Sequence, residues 1–228
     1  MDKIIKSKLS VVIPAFNVEK TIKNVVSEMK KSKLVLEVIV IDNNSNDRTF
    51  ELAKSAGATV FCCKQQGLGH AMKYGIQRCQ TDLIIKIDGD IKDPKTQWIY
   101  LLYNSLAKNI IFANGFYKSD YDQFPVGTLV AKPILKLFYP ELDYVKIPLS
   151  GTYIFRKNYF NFQQTPNDWA FDIAMLLTAH RMGYMIGQVD LGILNDKQKM
   201  INEYGEMAYE ILKYVIFSKC SNLQSCRA

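Results

Sequence analysis

Four short apolar runs, at residues 9–13, 35–42, 58–62 and 83–88, alternate with stretches of helical spacing, and this alternation constrains the fold more than any other feature. Runs this short and this apolar read as strands buried on both faces of a sheet. After the first run, Pro14-Ala15-Phe16-Asn17 forms a loop, and Ile22, Val25, Val26 and Met29 recur at helix spacing. After the second, Asn43-Asn44-Ser45-Asn46-Asp47 is a turn able to cap a helix that carries Phe50, Leu52 and Ala53 and stops near Gly57. After the third, Gln65-Gln66-Gly67-Leu68-Gly69 leads into a helix ending near Gln80. Parallel strands need crossover connections, so four such units in series predict an α/β fold with a parallel sheet and helices on both faces.

The second half is less regular. Helices are predicted over 96–107, 128–138 (kinked at Pro133), 172–182 and 203–217, and strands over 110–116, 147–155 (broken at Ser150-Gly151) and 185–191. A polar, aromatic loop spans 119–125. With no repeat, linker or low-complexity tract, residues 1–228 read as a single domain. Residues 1–95 form its ligand-binding half, and residues 96–228 complete the sheet and cover one side of the cleft. In the last helix Met207, Ile211, Tyr214 and Val215 share a stripe suited to packing or dimerisation. A helix resting on a membrane stays open as a less favoured reading.

A formal net charge of +7 suits an anionic substrate, nucleic acid or an acidic membrane face, and equally serves simple solubility. Only Lys30-Lys31-Ser32-Lys33 forms a cluster, and no RNA-binding aromatic motif or zinc-finger spacing occurs, so no nucleic-acid partner is expected. Five cysteines, an odd number with no C-x-x-C pair, argue against a disulfide framework and for a reducing compartment. Cys62 and Cys63 are expected in the core on a strand. No signal-peptide pattern precedes the first strand, and no apolar run is long enough to span a bilayer. The expected location is cytoplasmic, with a peripheral membrane contact not favoured and a homodimer open.

The fourth run ends in Asp88-Gly89-Asp90, two carboxylates at the carboxyl end of a strand, where open α/β sheets bind ligands. Mg²⁺ or Mn²⁺ prefers such oxygens and fills its shell from water and substrate phosphates. Paired acids in a turn also serve as turn formers or helix caps. The loops 14–19, 42–47 and 88–90 are expected to converge, so that a nucleotide lies across them with its diphosphate at Asp88 and Asp90. Glu19 and Asp42 are candidate acceptors for base or ribose, or else helix-end charges. Gly67-Leu68-Gly69 opens a helix, so its amides are candidates to face an anion. A dinucleotide fingerprint is a rival reading of that loop, but Met72 stands at the third glycine and the loop follows the third strand.

The segments Ser10-Val11-Val12-Ile13-Pro14-Ala15-Phe16-Asn17, Val40-Ile41-Asp42-Asn43-Asn44-Ser45-Asn46-Asp47 and Ile87-Asp88-Gly89-Asp90 resemble the nucleotide-sugar half of GT-A glycosyltransferases, across residues 9–95. Gly67-Leu68-Gly69-His70-Ala71 also resembles a loop of polyprenol-phosphate sugar synthases. Farther on, Leu129-Val130-Ala131-Lys132-Pro133-Ile134-Leu135, Tyr139-Pro140-Glu141-Leu142, Pro148-Leu149-Ser150-Gly151-Thr152-Tyr153 and Gln188-Val189-Asp190-Leu191-Gly192 resemble glucosyl-3-phosphoglycerate synthases. The resemblance implies a GT-A, Rossmann-like mixed sheet with helices on both faces. It also implies Mg²⁺- or Mn²⁺-dependent, retaining transfer from a nucleotide-sugar, with UDP-glucose favoured, to a small anionic acceptor. On that basis Pro14, Ala15, Phe16, Glu19 and Ser45 hold the nucleotide, Asp88 holds ribose and Asp90 the metal; the loops themselves add Asp42, Gly67, Gly69 and Gly89 as candidates beside the nucleotide-sugar. Asp172 lies near sugar and acceptor, or acts as general base if the outcome is inverting. The other role open to it is capping its helix.

The acceptor half departs from the family pattern. Leu68 stands for the lysine of the glycine loop, Asp196 for a metal-binding histidine, and Gln198-Lys199 for an Asn-Arg pair. Phe124-Pro125-Val126-Gly127 replaces a Gly-Arg-x-Thr acceptor loop. Asp196 remains a competent ligand for either cation. Tyr153, Trp169 and Lys199 are the acceptor-side candidates, the aromatics being equally suited to the core, and Lys197 or Lys199 is a candidate aid to the leaving diphosphate. His70 and His180 have no ligand-spaced partners and read as structural. A polyprenol-phosphate sugar transferase and a non-catalytic nucleotide-binding module are the alternatives, the latter disfavoured by both acids being present.

Overall fold

The structure is a computed structural model that describes residues 7–118, 125–194 and 204–225. Along the chain run β1 (Leu9–Ala15), α1 (Ile22–Lys30), β2 (Val35–Asp42), α2 (Thr49–Ser55), β3 (Thr59–Cys62), α3 (Leu68–Ile76) and β4 (Leu83–Lys86). They are followed by α4 (Gln97–Ser105), β5 (Phe112–Lys118), α5 (Lys132–Phe138), β6 (Tyr153–Arg156), α6 (Phe171–Arg181), β7 (Ile186–Ile193) and α7 (Gly205–Ser225). The strands form one sheet in the order β3-β2-β1-β4-β6-β5-β7. β1, β2, β3 and β4 are mutually parallel, as the four repeated units require. β6 runs antiparallel to both β4 and β5, while β7 is parallel to β5, so the sheet is mixed.

Both faces are covered, and the period-2 alternation of the strands decides which side chain goes where. Val11 and Ile13 of β1 and Leu83 and Ile85 of β4 join Ile22, Val25, Val26 and Met29 of α1, Ala53 of α2 and Trp98, Ile99 and Leu102 of α4. Val12 and Ile84 face the other way, into a cluster with Met72 of α3, Ile134 of α5, Phe171 and Met175 of α6, and Ile211 and Val215 of α7. In α7 the stripe packs inward: Ile211 and Val215 are fully buried, with Met207 and Tyr214 partly buried against the same core. Among the described residues no helix is long and apolar enough to cross a membrane.

Several expectations need correction. Cys62 is exposed and Cys63 alone of the pair is buried, because neighbouring residues at this edge of the sheet point to opposite faces. The helix expected over 128–138 is a π-helical turn at Gly127–Ala131 followed by α5. Pro133 follows directly on that π-helical turn, at the point where the helix changes its winding. The strand expected over 147–155 survives only as β6, since the Ser150 hydroxyl bonds Asn114 and the Thr152 carbonyl and Gly151 turns the chain with φ +71°. The helix expected to reach Gln80 ends at Ile76, and α7 is longer than its apolar stripe, running to Ser225.

Candidate active site

The register brings the expected loops to one edge. Ala15 at the end of β1 stands opposite Asp42 at the end of β2, and β4 on the other side of β1 leads into Asp88. The chain order reverses between β1 and β4, so the crevice at their carboxyl ends is the switch point at which open α/β sheets take ligands.

The first two loops are laced together by hydrogen bonds. The backbone N–H of Asn17 donates to Ser45 Oγ (2.9 Å), that of Asn46 to Asn17 Oδ1 (2.8 Å), and that of Val18 to Thr49 Oγ1 (2.8 Å). Asn17 has φ +53°, a left-handed conformation that asparagine tolerates better than most residues. Asp47 joins both loops, accepting from the Glu19 amide at 3.0 Å and from the Thr49 amide at 2.9 Å. Burial pushes the Asp47 carboxyl up, but bonds from Thr49 and Glu19 outweigh it and hold the group below the usual range. The Glu19 carboxylate accepts from Arg48 Nε at 3.2 Å. Phe16 stands exposed above the crevice, while Ala15 is buried and Asp42, also buried, accepts the Ser45 amide.

Gly67 and Gly69 do something other than expected. The Gly67 amide donates to Asn43 Oδ1, the Gly69 amide to the Asp168 carbonyl and the His70 amide to the Asn167 carbonyl. A methyl group at Gly69 would collide with the backbone of Pro166 and Asn167. These glycines let the start of α3 press against the loop before α6, and their amides are committed to that loop and to Asn43. The buried Asn43 also donates to the carbonyls of Cys63 and Gln65, fixing the loop from its other side. In place of the anion expected there, the Gly67 amide meets the Asn43 side chain and the Gly69 amide a backbone carbonyl.

At the centre lies Lys86, the last residue of β4, with 1% of its surface exposed. Its ammonium reaches Asp88 Oδ1 at 2.6 Å and Asp172 Oδ2 at 2.8 Å. Tyr153, opposite Lys86 in the β4–β6 pairing, donates its hydroxyl to Asp172 Oδ1 at 2.8 Å. Burial would lower the Lys86 pKa, but Asp172 and then Asp88 outweigh it and hold the ammonium charged. Burial pushes Asp172 upward, and Lys86 is the main force pulling it back. An unpaired buried charge costs several kcal/mol, so each member needs the others. Tyr153, expected at the acceptor, is buried and serves instead as a support for Asp172. Asp172 does not cap α6: its oxygens go to Lys86 and Tyr153, and Asp168 Oδ1 accepts the Ala170 amide in the turn before the helix. Sequence reasoning missed Lys86, although a lysine inside an otherwise apolar run two residues before an acid was its signal.

Asp88 is more than a third exposed, and Asp90 is exposed at the rim. The Thr21 hydroxyl bonds the Gly89 carbonyl at 2.7 Å, tying this turn to the start of α1. Trp169 is 41% exposed, and its amide donates to Glu210 of α7. His180 bonds Glu141 and packs edge-on against Tyr139, away from these acids in sequence and partners. Asp196, Lys197 and Lys199 lie outside the described residues.

The sequence profile of glycosyl transferase family 2 matches residues 10–169. The glucosyl-3-phosphoglycerate synthase of Petrotoga mobilis is 30% identical over 237 residues, covering 92% of this chain and 72% of its own. The chain belongs to glycosyl transferase family 2. This glycosyltransferase is also similar to the crystal structure of glucosyl-3-phosphoglycerate synthase from Mycobacterium tuberculosis in complex with Mn²⁺, UDP-glucose and phosphoglyceric acid. That likeness has a TM-score of 0.85 and 28% identity, and covers 94% of this chain and 80% of the other. The seven-stranded mixed sheet is accordingly a GT-A fold.

Among the described residues of the glycosyltransferase, no three His, Cys, Asp or Glu side chains group closely enough to hold a metal ion. Mg²⁺ and Mn²⁺ do not need such a cage, since one or two carboxylates with substrate phosphates suffice. Asp90, a hard oxygen donor exposed beside the crevice, fits a cation bound in that way.

Proposed function

We propose that the protein transfers a hexosyl group, glucosyl in the favoured case, from a UDP-sugar to a small anionic acceptor with the aid of Mg²⁺ or Mn²⁺. One observation carries this reading: Asp88-Gly89-Asp90 meets the laced loops of β1 and β2 at the switch point of the sheet. The ligands named for the mycobacterial relative, Mn²⁺, UDP-glucose and phosphoglyceric acid, support it.

In this reading Pro14, Ala15, Phe16, Glu19, Asp42 and Ser45 line the nucleotide, and Asp88 accepts from the ribose. Asp90 holds the cation with Asp196, and Gly89, whose missing side chain lets the turn pack against Val18 and the Pro14 carbonyl, keeps the two acids beside the diphosphate. The cation, when bound, neutralises the charge that develops on the leaving diphosphate, worth several kcal/mol. Asp172 faces the sugar and acceptor side, held by Lys86 and Tyr153. Trp169 offers an exposed ring, and Lys199 a positive charge, to the acceptor. Residues 1–228 act as a single domain with the donor half in 1–95. A cytoplasmic setting accords with an odd number of cysteines and no C-x-x-C pair.

Calorimetric titration with UDP-glucose and with GDP-sugars, with and without Mn²⁺, tests the donor. UDP-glucose should bind, more tightly with Mn²⁺, and binding of none of them removes the reading. Asp90→Ala should lose Mn²⁺-dependent transfer while its circular dichroism stays that of the wild type; unchanged turnover would refute the metal assignment. Labelled UDP-glucose with candidate acceptors, 3-phosphoglycerate first, identifies the product by mass spectrometry.

A further inference from the structure

We propose that Lys86 is a positioning residue for sugar transfer, a buried strut that orients Asp172 and anchors it to Asp88 across the floor of the cleft. The inference rests on the donor-site reading above and adds to it a residue outside the expected site motifs. The ammonium is closed off from solvent and bonds one oxygen of each acid, at 2.6 and 2.8 Å. Each acid is fixed a second time. Tyr153 bonds the other oxygen of Asp172, so the plane of that carboxylate is set by two donors. The other oxygen of Asp88 lies against Gly151, where φ is +71° and a methyl group would collide with the carboxylate.

Stability alone does not account for a charge at this position. A methionine or leucine at 86 would continue the apolar run of β4, and buried ion pairs seldom stabilise a fold more than well-packed apolar residues of similar volume. What the lysine provides is geometry. It holds two like-charged carboxylates, one from β4's end and one from α6, at a set spacing with both oxygens oriented. The period-2 alternation puts residue 86 on the face covered by α6, and the cross-strand pairing puts Tyr153 beside it.

The test compares wild type, Lys86→Met, Asp172→Asn and the double variant, with UDP-glucose, 3-phosphoglycerate and Mn²⁺ for kcat, and UDP alone for affinity. Lys86→Met should lower kcat roughly 10²-fold, the scale of a misplacement of about 1 Å in a reacting group. UDP affinity should fall by much less. If Lys86 acts through Asp172, the double variant should turn over at the rate of Asp172→Asn, because coupled residues are not additive. That variant leaves no unpaired buried charge and so stays informative even where Lys86→Met alone fails to fold. Losses that multiply in the double variant, or a folded Lys86→Met with wild-type kcat, overturn the proposal. Wild-type protein that neither turns over nor binds UDP would sink the donor reading itself. The strut is then judged on the crystal structure of Lys86→Met, or of Lys86→Gln, in which Asp172 must leave its present position; an unmoved Asp172 overturns it.

Discussion

Gly151 shows how one backbone angle can support an acid of the candidate site. Its φ of +71° lies in the left-handed region, and its missing side chain leaves the space taken by the Asp88 carboxylate. The Ser150-Gly151 step was legible in the sequence as a break, but its partner was not, because Asp88 is distant in the chain. Gly151→Ala should therefore lose about 1–2 kcal/mol from the left-handed backbone alone. It should also weaken UDP binding by displacing Asp88. Chemical denaturation and calorimetry of the variant measure the two effects, and an alanine variant as stable and as tight-binding as wild type counts against this account. The acids at 88, 90 and 172 could be picked out as candidates from residue type and position. Lys86 showed only as a lysine inside an apolar run, since its role depends on what α6 and β6 bring to it.

Elements differ in how plainly the chain declares them. β1, β2 and α1 were legible nearly to the residue, because continuous apolar runs and helix-spaced valines leave few alternatives. β6 was overextended, because Ile147, Leu149 and Tyr153 read as strand although the Asn114–Ser150 bonding bends the backbone before Thr152. Asp47 is the informative case for caps: it was seen as part of a turn, yet its second oxygen binds the Glu19 amide of another loop. Asp47→Ala should cost about 1–2 kcal/mol, the upper part of the range for a cap. Its folded pKa lies below its unfolded value, so the contribution is complete above the unfolded carboxylate pKa of about 3.9 and is lost as pH falls through the folded value. Denaturation of wild type and variant should show the full gap near neutral pH and a closing gap in acid; a gap indifferent to pH would contradict the assignment.

At the scale of the molecule, the second half is woven into the first. β6 lies between β4 and β5, so the donor half and the rest share one sheet, and α7 packs into the same cluster as α3. Denaturant unfolding followed by tryptophan fluorescence and by circular dichroism should therefore give coincident, single transitions. Two separated transitions would divide the chain into independent units. Local alternation of apolar runs and helical periods, together with acids at a strand end, was enough to determine an α/β sheet and the edge that carries its candidate site, since those signals lie within a few residues of one another. The antiparallel insertion of β6, the commitment of the Gly67 and Gly69 amides to the loop before α6, and the meeting of Lys86, Asp88, Tyr153 and Asp172 were decided only by the tertiary structure. Strand order and helix docking arise from contacts between distant segments, and a buried charge declares its partners only once those segments have packed.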